Sequence, residues 1–263
     1  MVDYTVIGNS PVNYLYIPER LREVENKKYH QEDTFKVLPN TTFYIVSNYL
    51  KKNSVVLDVG CSSGYFGKFL IDTLGAKVYG VDIDEKGLSI AKERGYSDVY
   101  KIDLDNDIET FGSVLDDVKP DYILCLDVVE HLKTASFFMK KLLRFLKKND
   151  SELIVSIPNI GHIDIIYNLL MGRFNYSLLG ILDNTHLRFF TRSSFKEWIK
   201  LIAEDVGLEL DVCLIGKTEA PFCLNEKERN FNKDISRLQH MAKRVNNDDL
   251  FTVQFVFSIK KRV

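Results

Sequence analysis

The chain is poor in the residues that signal special architectures. It has 4 cysteines, 6 prolines and 1 tryptophan in 263 residues, and 35 basic side chains face 37 acidic ones. The cysteines (Cys61, Cys125, Cys213, Cys223) form no CxxC pair and stand in no zinc-type spacing with histidine. That excludes a disulfide scaffold and a zinc finger. A net charge of −2 offers a polyanion no global attraction, so nucleic acid is not the expected partner. No run approaches the ~20 apolar residues that span a bilayer. The opening MVDYTVIGNSPVNY lacks the basic and apolar regions of a secretory leader. The expectation is a cytoplasmic chain with no membrane span, its Cys61 and Cys125 reduced and buried.

What is present is an alternating α/β pattern. Apolar, β-branched runs occur at 54–59 (SVVLDV), 77–81 (KVYGV), 98–102 (DVYKI), 121–126 (DYILCL) and 152–157 (ELIVSI), with helical patterns near 64–74, 85–94, 107–118 and 135–148 between them. Strands apolar on both faces and separated by helices predict a parallel sheet covered on both sides. After a helix near 193–206, two further strands at 208–215 and 250–259 flank a polar, helical insertion at 217–247. Two strands without a crossover helix predict an antiparallel pair at the sheet edge. Outside this core lie a tyrosine-bearing arm at 1–40 (Tyr4, Tyr14, Tyr16, Tyr29) and a segment at 158–192. Both exceed a simple connection and are expected to fold over the ligand edge of the main domain, 41–263.

The sharpest local signal is VVLDVGCSSGY, residues 55–65. A buried strand ends in a turn where Gly60 and Gly64 permit close backbone approach of a ligand, and a helix follows. The spacing is not the G-x-G-x-x-G that cradles a pyrophosphate, which argues against a nicotinamide-dependent oxidoreductase. Asp58 lies in the first strand, Asp82 ends the second, Asp103 follows the third and Asp127 the fourth. Taken singly, each acid also suits a helix cap or turn. Together they predict four carboxylates converging on one crevice at the carboxyl ends of parallel strands, a setting for a cationic nucleoside.

VLDVGCSSGYFG, VYGVDID, DYILCLDVVEHL and ELIVSIPN, in this order, resemble the successive motifs of class I S-adenosylmethionine (SAM) dependent methyltransferases. The resemblance covers about residues 54–160 and implies a Rossmann-like, seven-stranded, mostly parallel sheet with an antiparallel last strand and a helical cap. It implies that SAM, leaving as S-adenosylhomocysteine (SAH), is held by Asp58, Gly60, Cys61, Gly64, Asp82, Ile83, Asp103, Leu104, Asp127 and Val128. Asp82 would take the ribose hydroxyls, and Asp103 with Leu104 would flank the adenine.

The segment 158–192, PNIGHIDIIYNLLMGRFNYSLLGILDNTHLRFFTR, resembles a subgroup of bacterial methyltransferases that modify sugars and surface polysaccharides. Ubiquinone-pathway O-methyltransferases share the core and part of this style. The implied acceptor is a small molecule carrying a hydroxyl, such as a sugar nucleotide or glycan precursor. A quinone-like phenol, a nitrogen atom or a phosphoryl-derived group are alternatives, and a non-catalytic SAM-binding partner subunit is an alternative of another class. An ordinary imidazole is largely neutral at pH 7 and can accept a hydroxyl proton. His186, oriented by Asp183, is the first candidate base and His162 the second, while His131 is expected beside the cofactor. Arg173, Arg188, Asn159 and Tyr14 are candidate acceptor contacts, the guanidinium forks suiting phosphate. Lys140, Lys141, Arg144, Lys147 and Lys148 read as the solvated end of a helix buried through Phe138, Leu142 and Phe145. No metal site is expected, and the sequence permits a homodimer.

Overall fold

The computed structural model describes residues 13–17, 19, 21, 36–220 and 231–262. Most of the 1–40 arm, including Tyr4 and Tyr29, and Cys223 lie outside the described residues. The elements, in chain order, are α1 (Thr42–Tyr49), β1 (Val55–Val59), α2 (Tyr65–Leu74), β2 (Lys77–Asp82), α3 (Glu85–Glu93), β3 (Asp98–Lys101), α4 (Ile108–Val118) and β4 (Tyr122–Leu126). A 3₁₀ turn (Val129–His131), α5 (Ala135–Lys148), β5 (Glu152–Pro158), α6 (Ile163–Leu170), α7 (Arg192–Val206), β6 (Leu210–Glu219), α8 (Phe231–Arg244) and β7 (Thr252–Lys261) follow.

The strands form one sheet in the order β3-β2-β1-β4-β5-β7-β6. β1 to β5 are mutually parallel, and β7 runs antiparallel between β5 and β6. The order reverses between β1 and β4, and such a switch point opens a crevice at the carboxyl ends of the strands. One face packs Phe111, Phe138, Leu142, Phe195 and Ile199 from α4, α5 and α7. The other packs Val46, Phe66, Leu70, Leu88 and Ala91 from α1, α2 and α3. Burial on both faces explains why these strands read as continuous apolar runs.

Local chemistry sets the helix ends. Thr191 caps α7 in a reciprocal box with Ser194, and Gly207 closes that helix in the left-handed conformation, as such termini require. On α5 the basic end is surface: Lys140 pairs with Asp205, Lys141 with Glu109, and Phe138, Leu142 and Phe145 are buried.

Three expectations change in detail. The polar insertion begins later than 217, because β6 continues to Glu219 through a bulge, and its helix starts at Phe231. The cap is helical only over α6; from Met171 to Thr191 it is turns and bridges. α1 was not foreseen; its Thr41 cap takes the Tyr44 amide. Among the described residues no helix is long and apolar enough to cross a membrane.

Candidate functional site

A cleft of about 950 Å³ opens at the carboxyl ends of the strands. The four strand-associated acids, Asp58, Asp82, Asp103 and Asp127, all line it, as do Gly60, Cys61, Ile83, Leu104 and Val128. Gly60 and Gly64 both have left-handed φ, +73° and +74°. A Cβ at Gly60 would sit 2.6 Å from Val128 Cγ2, so this turn admits neither another conformation nor a side chain. Gly64 is the exception among the ten predicted cofactor residues. It does not line the cleft and packs at the start of α2 against Ala91 and Tyr96.

The acids are held differently. Asp82 Oδ2 accepts the Ser62 amide at 2.7 Å and Oδ1 the Asp84 amide at 2.9 Å, which locks the glycine turn to the end of β2. Asp103 accepts the Asp105 amide at 2.9 Å and Asn106 Nδ2 at 2.7 Å. Asp58 accepts the Tyr96 hydroxyl at 2.6 Å, and burial pushes its carboxyl up to about 7. Asp127 has φ +56°, unusual for a non-glycine residue. Its carboxylate takes the Ser156 hydroxyl at 2.7 Å and Gln254 Nε2 at 2.7 and 2.8 Å, while burial raises it. Gln254 reaches this point because β7 pairs antiparallel with β5, opposite Pro158. Thr42 of α1 donates to Gln254 Oε1 at 2.6 Å. Gln254 and Thr42 had no sequence signal, since only the antiparallel register brings them here.

The far end of the cleft is built from the 3₁₀ turn and the cap. Glu130 O accepts the amides of Leu187 (2.8 Å) and Arg188 (3.2 Å), and the Arg188 guanidinium donates to the carbonyls of Leu132 and Lys133. This zips the cap onto the turn and brings Glu130, His131, Asp183, Thr185 and His186 to the cleft wall. The ring centroids of His131 and His186 are 4.7 Å apart. His131 is pushed down to about 4, first by burial and then by His186. Glu130 is fully buried, and burial, then the Asp127 charge, raise it well above the carboxylate range.

His186 Nδ1 donates to Ile181 O at 2.9 Å, not to Asp183. Asp183 Oδ1 instead accepts the Thr185 hydroxyl at 2.7 Å, and Thr185 Oγ1 lies 3.0 Å from His131 Nδ1. Asp183, Thr185 and His131 thus form a hydrogen-bonded chain, while the Nδ1 of His186 is taken by the Ile181 carbonyl. A residue three places before histidine in an irregular turn has no fixed relation to its ring, so spacing alone does not foretell the Asp183–Thr185–His131 chain.

The other predicted residues stand outside the cleft. His162 is fully buried and caps α6, its Nδ1 accepting the Asp164 amide at 3.2 Å. Asn159 clamps the β5 end to β7 through Asp249 O and Thr252 O. Arg188 serves the cap, as above. The Arg173 amide closes α6 on Asn168 O, and its side chain does not line the cleft. The Tyr14 amide donates to Tyr176 O at 2.9 Å, so this part of the arm does lie on the cap, but Tyr14 does not line the cleft. Among the described residues the cleft wall holds no lysine or arginine. Arg192, at the start of α7, pairs with Asp248 and Asp249.

The family described as "Methionine biosynthesis protein MetW" matches residues 40–219. The chain belongs to this family. The MetW match runs from just before α1 to the end of β6 and so includes every residue of the cleft wall but Val253 and Gln254. A curated relative, the ubiquinone biosynthesis O-methyltransferase of Pelagibacter ubique, is 33% identical over 106 residues. That alignment covers 40% of this chain and spans 43%, less than half, of the relative. A SAM-dependent methyltransferase from Archaeoglobus fulgidus superposes with TM-score 0.55 at 21% identity, covering 92% of this MetW-family chain and 99% of that one. The plantazolicin methyltransferase BpumL, solved with a triazolic desmethylPZN analog and SAH, gives 0.54 at 18% identity, over 93% and 92% of the two chains. The fold is that of a class I SAM-dependent methyltransferase.

Proposed function

We propose that the chain is a SAM-dependent O-methyltransferase acting on a small, uncharged acceptor that carries a phenol-like hydroxyl. The observation that carries this reading is the single cleft in which the Gly60 turn and four strand-associated carboxylates meet a polar Glu130–His131–His186 end. The residues fit the cofactor. A wall rich in carboxylates and free of lysine and arginine among the described residues suits a sulfonium nucleoside and disfavours a dinucleotide diphosphate. The turn at Gly60 leaves the backbone open to close approach.

Asp82 would hold the ribose hydroxyls, its orientation fixed in advance by the Ser62 and Asp84 amides. Leu104 and Ile102 would cover the adenine, with Asp103 at its edge. When bound, SAM supplies the methyl group: the new C–O bond forms as the C–S bond breaks, its electron pair staying on sulfur. The chain's own work is placement and preparation of the acceptor oxygen, since in-line positioning contributes much of such a reaction. Phe43, Leu126, Pro158, Leu179 and Val253 form apolar walls against which a flat acceptor packs. The His131–His186 end prepares the hydroxyl.

Among the described residues no lysine or arginine lines the wall to neutralise a diphosphate, which weighs against the sugar nucleotide expected from the sequence. The relative named for ubiquinone biosynthesis supports a phenolic acceptor instead. The test is SAH release by the purified chain from SAM with a panel of phenols and a panel of sugar nucleotides. Turnover with phenols is expected; turnover only with sugar nucleotides, or none in a chain that binds SAH, overturns the reading.

A further inference from the structure

We infer that Glu130, His131 and His186 form a binding site for one divalent transition-metal ion, open to the cleft. The ligand atoms of the three residues lie within 4.8 Å of one another. Small side-chain rotations bring such a set to the ~2.0–2.2 Å bonds typical of zinc. A second, independent observation points to a cation. Both carboxylate oxygens of Glu130 are buried and have no hydrogen-bond partner among the described residues. A buried carboxylate with neither a donor nor a cation is a heavy cost, and native structures keep such groups where a ligand completes them.

The surroundings orient both imidazoles as metal ligands. Thr185 has one hydroxyl proton and gives it to Asp183 Oδ1. Its oxygen must therefore accept from His131 Nδ1, 3.0 Å away, which leaves the lone pair of the neutral ring on Nε2. His186 Nδ1 donates to Ile181 O, with the same consequence. Backbone carbonyls and carboxylate-linked partners on the distal ring nitrogen are the usual support of metal-bound histidine. Two imidazoles and one carboxylate favour Zn²⁺ or Mn²⁺ over Mg²⁺. Glu130, His131 and His186 also line the cleft, so a further coordination position faces the acceptor, as in catalytic rather than structural sites.

The chemical role rests on the methyl-transfer reading; the binding does not. An acceptor oxygen on the ion becomes more acidic, as bound water does. Its O–H bond breaks, the pair stays on oxygen, and the proton passes to water at the cleft mouth. His186 then acts as a ligand, where the sequence suggested a base.

The test is titration calorimetry of the chelator-treated full chain with Zn²⁺, Mn²⁺ and Mg²⁺, with SAH binding measured on the same sample. One Zn²⁺ or Mn²⁺ per chain is expected, with Mg²⁺ weaker. Glu130→Gln and His186→Ala should weaken Zn²⁺ binding by about 100-fold or more, and Thr185→Val, which removes only support, by about 10–100-fold. Unchanged thermal unfolding of each metal-free variant separates these losses from misfolding. No stoichiometric Zn²⁺ or Mn²⁺ binding by a chain that binds SAH overturns the site, as does wild-type affinity in both Glu130→Gln and His186→Ala. Metal binding without methyl transfer to any phenol would leave the site standing and sink the function.

Discussion

His131 and His186 sit edge to face, ring centroids 4.7 Å apart and planes at 74°, although one belongs to the turn after β4 and the other to the cap. The contact exists because the Glu130 carbonyl takes two cap amides. The cap is thus registered to the turn by backbone bonds, and the two side chains follow. A turn that lines the cleft and also anchors the cap ties the position of the cap to the shape of the cleft.

Asp82→Ala should lose SAH affinity by about 10–100-fold, the worth of removing hydrogen bonds to a charged group, ~1.5–3 kcal/mol. Calorimetry with SAH measures it. Thermal unfolding without ligand controls for the Ser62 and Asp84 amides, which lose their acceptor in the same variant. Equal SAH affinity in variant and wild type would remove Asp82 from the cofactor site.

Gly60→Ala combines two penalties. The left-handed φ costs an L-residue about 1–2 kcal/mol, and the Cβ placed 2.6 Å from Val128 Cγ2 adds overpacking of about 1–3 kcal/mol. A fall in Tm of roughly 5–15 °C is expected. Val128→Ala in the same chain relieves only the second penalty. The double variant should therefore recover part of the loss, and a strictly additive pair would show that the two residues do not touch.

His162 gives the pH prediction. Burial pushes it down to about 4. Its Nδ1 accepts the Asp164 amide and so carries no proton, which is why the Asp164 carboxylate 3.9 Å away does not charge it. Between about pH 6.5 and 4 the unfolded chain binds a proton at this residue and the folded chain does not. Stability therefore rises with pH across that window, by up to about 3 kcal/mol from this group. Asp58, raised to about 7 mainly by burial, runs the other way: the folded chain holds the extra proton, and stability falls as pH rises from about 4 to 7. His131, also pushed down to about 4 by burial, adds to the His162 slope while Asp58 opposes both, so wild type alone does not isolate His162. His162→Asn keeps a cap-forming residue and removes one slope. Urea unfolding at pH 7 and pH 4.5 should show the variant losing less stability on acidification than wild type.

The positions of the five parallel strands, the glycine turn and all four acids of the cleft were legible because each is local: a strand, its terminal residue and the turn after it share one stretch of sequence. Parallel topology then carries them to one edge without further information. The cap side was not legible for the opposite reason. Whether His162 or His186 faces the cleft depends on which bonds zip an irregular segment to a distant turn, and His162 was taken instead by the α6 cap. Glu130 reads in sequence as one acid in VVEHL; only its burial without partners marks it. Gln254 and Thr42 are set by antiparallel register and helix docking, to which composition and spacing are blind.

Arg188 supplies the last prediction, because it separates support from substrate contact. Its guanidinium spans two successive carbonyls, of Leu132 and Lys133, a task for a planar fork that a point-charge ammonium performs poorly. Arg188→Lys keeps the charge and should still loosen the cap, so the defect follows geometry rather than charge. If Arg188 gripped an anionic acceptor, Lys would restore much of the binding and the loss would appear in KM. If it holds the cap on the turn, Lys restores little. SAH affinity stays near wild type, because Arg188 does not line the cleft. The loss then appears in kcat, where misplacing reacting groups by about 1 Å can cost ~100-fold. Steady-state kinetics of Arg188→Lys and Arg188→Ala with a phenolic acceptor distinguish the two. Recovery of wild-type kcat in the lysine variant would return Arg188 to the substrate.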